Sequence, residues 1–175
     1  ARDPDRSMVV LDPRRSETAE LADFHLQVLP GTDAWALAAM VGVIVQEGLV
    51  DQTFLATNAD GLDEVVAVFG AIDVDAHAAT AGLDADLVRR AARRIATAES
   101  MALFEDLGVQ MNHHSTVVSY LDTLLWSLTG NYGRPGTNNP PLPLVSLGGS
   151  GSGGTGGGKV SPVAKAPIIA GLVPC

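Results

Sequence analysis

Two short polar clusters hold the residue types best suited to grip a nucleotide: Asp12-Pro13-Arg14-Arg15-Ser16 and Gly31-Thr32-Asp33. A guanidinium pairs with phosphate oxygens in a bidentate fork, and a carboxylate can accept both the ring and the exocyclic N–H of a guanine edge. Each cluster follows a short apolar run. Residues 8–11 read as a strand that stops at Asp12-Pro13, because proline cannot donate to a ladder. Ser16 is placed to cap a short helix, with Glu17 and Glu20 as the negative charges that a helix N-terminus favours. A second strand is expected over residues 24–29, broken by Pro30-Gly31. Thr32 and Asp33 then open a long apolar helix running to about Glu47. In open α/β sheets ligands bind beyond the carboxyl ends of the strands, so the two clusters are candidates to contact one nucleotide together. On residue type alone, Asp12 and Asp33 serve equally well as helix caps, and Arg14 and Arg15 as solvated charges.

The elements around these clusters predict an α/β fold, a parallel sheet with flanking helices of Rossmann-like type followed by a Gly/Pro-rich tail. The apolar runs 8–11, 24–28 and 101–104 are expected to share the sheet. Helices are expected over residues 51–56, 61–69, 74–79 and 85–98, several with an acidic residue at the start (Asp60, Asp73, Asp84). A further helix over 114–128 has apolar residues at Val117, Val118, Leu121, Leu124, Leu125 and Leu128, and Gly130 ends it. Arg89, Arg90, Arg93 and Arg94 fall opposite Leu87, Val88, Ala91, Ala92 and Ile95, which reads as a solvated helix face. His113 and His114 precede the last helix, and adjacent histidines point different ways on most backbones, which disfavours a shared metal.

The order strand-DPRR-x-ETA-x-x-AD-x-H-strand-PGTDA resembles the molybdopterin oxidoreductase family, the dimethyl sulfoxide reductase superfamily, in its formate dehydrogenase-like branch. GLVDQTFLATNADGLDEV at residues 48–65, the helix pattern RxAARxIAxA within 87–98 and LTGNYGRPG at 128–136 are similar to further segments of the family, in the family's order. The resemblance spans roughly residues 7–139. It implies that Asp12, Pro13, Arg14, Arg15 and Ser16, with Gly31, Thr32 and Asp33, hold the guanosine diphosphate end of a molybdopterin guanine dinucleotide. A third contact, to the pterin, is implied by the family's GMGxxQ turn. Here Leu107 replaces its Met and Met111 stands at its Gln, so that Gly108 and backbone contacts carry over most directly. The implied cofactor is molybdenum bis(molybdopterin guanine dinucleotide), with a 4Fe–4S cluster in a region preceding this segment. The implied partners are the remaining domains of the same enzyme, a small-molecule substrate and an electron-transfer partner. Leu142 stands where formate dehydrogenases place a substrate-holding Arg.

Composition adds bounds. One cysteine, Cys175, cannot supply the thiolates of an iron–sulfur cluster or form an intrachain disulfide. The chain of 175 residues, 46% hydrophobic and 18% charged, can bury one core but is small for this enzyme class, so it reads as a fragment that is inactive in isolation. The expected organisation is a molybdopterin guanine dinucleotide-binding domain at 7–139, a Gly/Pro/Ser-rich linker at 140–167 and the start of another segment at 168–175. Within the tail, Gly151, Gly153 and Gly156 spell G-x-G-x-x-G, and Gly153 to Lys159 spells G-x-x-x-x-G-K. Linker composition explains both, because no strand precedes them and Val160 replaces the magnesium-ligating Ser or Thr. A net charge of −9 opposes nucleic-acid binding, and no apolar run reaches transmembrane length, so a soluble, cytoplasmic protein is expected. The competing reading is a non-catalytic nucleotide-binding or assembly module of the same fold.

Overall fold

The computed structural model describes residue 3 and residues 5–139. β1 (Val9–Leu11) and β2 (Phe24–Leu26) pair in parallel, with Val9 opposite Phe24, Val10 opposite His25 and Leu11 opposite Leu26. The crossover between them contains α1 (Glu17–Leu21), since parallel neighbours cannot be joined by a tight turn. Ser16 caps α1 as its position predicts, its side chain accepting from the Ala19 N–H at 3.4 Å.

α2 (Asp33–Gln46) is the axis of the fold. Its run of Ala, Leu, Met, Val and Ile leaves no polar face, and a helix apolar all round must be enclosed. It is packed on by α4 (Leu62–Gly70), α5 (Val74–Thr80), α6 (Ala85–Ala96) and α8 (Ser115–Leu128). Met40, Val41, Val43 and Ile44 are at most 2% exposed, and each such side chain contributes about 1.5–3 kcal/mol relative to exposure. Gly42 lets Ile72 pack closely on α2: a Cβ there would lie 2.6 Å from Cδ1 of Ile72, whose side chain would have to shift.

The remaining helices start where acidic residues can accept orphan N–H groups. Asp51, Asp73 and Asp84 cap α3 (Gln52–Asn58), α5 and α6 through the N–H groups of Phe54, Ala76 and Leu87 at 2.8–3.0 Å. Asp60 does not take this role; Gly61, at φ 79°, is the N-cap of α4. The arginine face of α6 is more than a solvated face. Arg89 forms a bidentate pair with Asp75 of α5, and Arg93 pairs with Glu47 just past α2 at 2.7 and 2.8 Å. Arg94 donates to the Ser7 hydroxyl and the Asp5 carbonyl, fastening the N-terminal approach to β1.

One expectation fails. Residues 101–104 do not form a third strand of the sheet, which has two strands only among the described residues. Met101 and Leu103 are half-buried and Ala102 and Phe104 exposed, the alternation of an extended chain, but side-chain amides take the place of a ladder. The Met101 N–H donates to Oδ1 of Asn131 at 2.8 Å and the Leu103 N–H to Oδ1 of Asn138 at 2.7 Å. Asn138 returns a bond from Nδ2 to the Leu103 carbonyl at 2.9 Å. Residues 140–167 and 168–175, with the glycine patterns they contain, lie outside the described residues.

Candidate cofactor-binding edge

Because β1 and β2 are parallel and in register, the Asp12–Ser16 turn and the turn that begins at Pro30 both leave the same end of the sheet. The first turn is organised by its own acid. Asp12 Oδ1 accepts from the Arg14 N–H at 2.8 Å, and Oδ2 accepts from the Ser16 hydroxyl at 3.1 Å, which leaves each oxygen one further lone pair. Neighbouring β2 and the residue after it hold the turn from the other side: His25 Nε2 lies 2.9 Å from the Asp12 carbonyl, and Gln27 Nε2, just past β2, donates to the Pro13 carbonyl at 3.1 Å. Pro13, Arg14 and Arg15 are exposed at this rim.

The second turn needs Gly31, whose φ of 81° places it in the left-handed region that other residues rarely enter. Thr32 donates from Oγ1 to the Leu29 carbonyl at 2.6 Å, closing the turn, and occupies the N-cap of α2 without capping it through its side chain. Asp33 is the first residue of α2 and is 9% exposed. Its Oδ2 accepts from Nδ2 of Asn112 at 3.0 Å. No hydrogen bond engages Oδ1 among the described residues.

Asn112 follows α7 (Leu107–Gln110), a single turn capped by Asp106, in the third segment singled out from the sequence. Leu107, Gly108 and Met111 are exposed, with Met111 at 79%. The structure therefore brings the third segment to the second turn through Asn112 rather than through the three residues the motif suggested. Beside it, His114 is the N-cap of α8, and its ring meets Trp35 edge-on at 5.0 Å.

Behind these turns lies a cavity of about 190 Å³ bounded by β1, α2, the 101–105 segment and α8. Three carboxylates line it: Asp33, Glu105 and Asp122. Glu105 accepts from the Ser119 hydroxyl at 2.8 and 2.9 Å. Asp122 is 8% exposed, and burial first, then the charges of Glu105 and Asp33, push its carboxyl up to about 7.

Sequence reasoning missed Asn112, Asp122, Asn131 and Asn138. For Asp122 a signal exists: it sits four residues after Val118 and three before Leu125, on the buried stripe of α8. The asparagines act through long-range contacts that local spacing does not encode.

No family model matches the chain. The chain is 33% identical over 135 residues to formate dehydrogenase H of Escherichia coli, covering 77% of this chain and 19% of that protein. It is 30% identical over 129 residues to the assimilatory nitrate reductase catalytic subunit of Bacillus subtilis, covering 73% and 18%. Among solved structures it superposes on acetylene hydratase from Pelobacter acetylenicus with a TM-score of 0.68 and 31% identity, over 71% of this chain and 17% of that one. The chain spans about a fifth of the length of the curated relatives it matches. Sequence and fold agree, and the chain belongs to the molybdopterin oxidoreductase (dimethyl sulfoxide reductase) superfamily.

Proposed function

We propose that this chain supplies part of the binding surface for the guanosine diphosphate end of a molybdopterin guanine dinucleotide, within a Rossmann-like domain of a larger molybdenum-dependent oxidoreductase. The observation that carries this reading is the parallel register of β1 and β2, which sends two turns of nucleotide-binding composition out of one sheet edge. The donor set fits a nucleotide diphosphate. Arg14 and Arg15 are exposed and suited to the phosphates, with Pro13 and Ser16 holding the turn that presents them. Gly31 and Thr32 offer backbone at a turn no side chain crowds, since nothing lies within 4 Å of a Cβ built on Gly31. Asp33, through Oδ1, and Asp12, through its remaining lone pairs, are the acceptors for the guanine edge. Leu107, Gly108 and Met111 border the pterin side.

When bound, the molybdenum centre supplies two-electron redox chemistry; the residues of this chain bind and orient the nucleotide end of its ligand. In this reading the second dinucleotide, a 4Fe–4S cluster, the metal ligand and the electron-transfer contact belong to other parts of the enzyme. The relatives are named for formate, nitrate and acetylene, so the family leaves the substrate open. Calorimetric titration of the chain with guanosine diphosphate and adenosine diphosphate tests the proposal. Preferential binding of the guanine nucleotide is expected. Equal affinity for the two, or none for either, counts against it, and equal affinity favours a general nucleotide-binding module.

A further inference from the structure

We propose that His25 and Gln27 are positioning residues of the nucleotide site: together they clamp the Asp12–Ser16 turn so that Arg14 and Arg15 meet the diphosphate. The inference rests on the nucleotide reading above and adds to it two residues that neither turn contains. Side chains alternate along an extended chain, so His25 in β2 and Gln27 just past it leave on one side, while Leu26 between them turns into the core at 0% exposure.

Three successive residues of this stretch bind the turn. The Asp12 N–H donates to the Leu26 carbonyl at 3.3 Å, carrying the ladder one step past β1. His25 Nε2 lies 2.9 Å from the Asp12 carbonyl, and Gln27 Nε2 donates to the Pro13 carbonyl at 3.1 Å. A carbonyl only accepts, so the His25 ring must carry a proton on Nε2 in this contact. Pro13 has no N–H to pair and a ring-fixed φ. Arg14 is then held on both sides of its Cα: its N–H donates to Asp12 Oδ1 at 2.8 Å, and its carbonyl accepts from the Ser16 N–H at 2.9 Å. The backbone beneath Arg14 is pinned, while Arg14 and Arg15 stay exposed.

Stability alone does not call for the Gln27 contact. Gln27 and Pro13 are exposed, and at an exposed rim water hydrates a carbonyl nearly as well as an amide does. What the clamp supplies is a fixed origin for two long cationic side chains. Pairing with a diphosphate must order those side chains, and a backbone that is already ordered removes part of the entropic cost. Loss of the clamp therefore weakens any nucleoside diphosphate, whatever its base. Asp33 lies outside the clamped turn and keeps its role toward guanine.

The test is calorimetric titration of the 175-residue chain with guanosine diphosphate and with adenosine diphosphate, in the wild type and in variants of the clamp. His25→Ala and Gln27→Met, which keeps the length of the side chain and removes its donor, should each weaken both nucleotides by about three- to tenfold. His25→Gln restores an N–H donor at the same reach and should recover most of the loss, a rescue that a merely structural role for the imidazole ring would not give. Asn58→Ala removes an exposed amide-to-carbonyl bond of the same kind from α3 and should bind as the wild type does. Wild-type affinity in either His25→Ala or Gln27→Met, a loss confined to guanosine diphosphate, or a loss in His25→Ala that His25→Gln does not repair would each overturn the clamp. A wild type with equal affinity for the two nucleotides defeats the guanine reading and leaves the clamp to be judged on the losses in its variants. A wild type that binds neither nucleotide overturns both.

Discussion

Asn112 Nδ2 donates to Asp33 Oδ2 at 3.0 Å, joining the segment after α7 to the first residue of α2 across 79 positions of sequence. Two of the three segments singled out as cofactor contacts are thereby one structural unit. Asn112→Ala removes the donor from a carboxylate that is 9% exposed, and should cost about 1–3 kcal/mol in urea unfolding. Asn112→Asp should cost more at pH 7 than at pH 5, because it sets a second carboxylate against Asp33. An unchanged urea midpoint in Asn112→Ala would show that the tether contributes nothing.

Asn131 is fully buried and ties two separate stretches of backbone together. Its Oδ1 accepts from the Met101 N–H, and its Nδ2 donates to the carbonyl and hydroxyl of Thr129. Replacing it by Ala strands buried groups on both sides, a loss on the order of 2–4 kcal/mol. Asn131→Asp should also destabilise, since a carboxylate cannot donate to Thr129. Amide hydrogen exchange at Met101 checks the mechanism directly: protection there should collapse in Asn131→Ala and survive in an exposed-site control.

Asp122 should give the chain an inverted acid response. Its carboxyl is raised from 3.8 to about 7 in the folded state, by burial first. Between about pH 4 and pH 7 the folded chain holds a proton that the unfolded chain has lost, so this group's contribution weakens stability as pH rises through that window and levels off above it. The loss amounts to up to about 4 kcal/mol. Subtracting the pH profile of Asp122→Asn from that of the wild type should isolate this slope. A flat difference between pH 4 and pH 7 would contradict it.

The helical part of the fold was legible because its signals are local. The polar-free run of α2, Ser16 before an acidic turn, and Asp51, Asp73 and Asp84 at helix starts all lie within a few residues of what they determine. Residues 101–104 misled because apolar alternation reports an extended chain and not its partner. Asn131 and Asn138, 30 and 35 positions from the groups they bind, decided that outcome. The turn residues of the site were legible by type, whereas their occupation was not. Asp12 is bound into its own turn, and Asp33 is drawn inward by Asn112. Asp122 was passed over because the apolar spacing of α8 is complete without it.

The most direct measurement of the central claim is the ratio of guanosine diphosphate to adenosine diphosphate affinity, by calorimetry, in the wild type, Asp33→Ala, Asp12→Ala and Arg14→Ala. Losing a carboxylate that accepts two guanine donors should weaken guanine binding by about 1–3 kcal/mol and bring the ratio toward one. Arg14→Ala should weaken both nucleotides alike through lost phosphate pairing and leave the ratio unchanged. Equal affinities for both nucleotides across all four proteins would contradict the assignment and leave these residues as turn formers and surface charges.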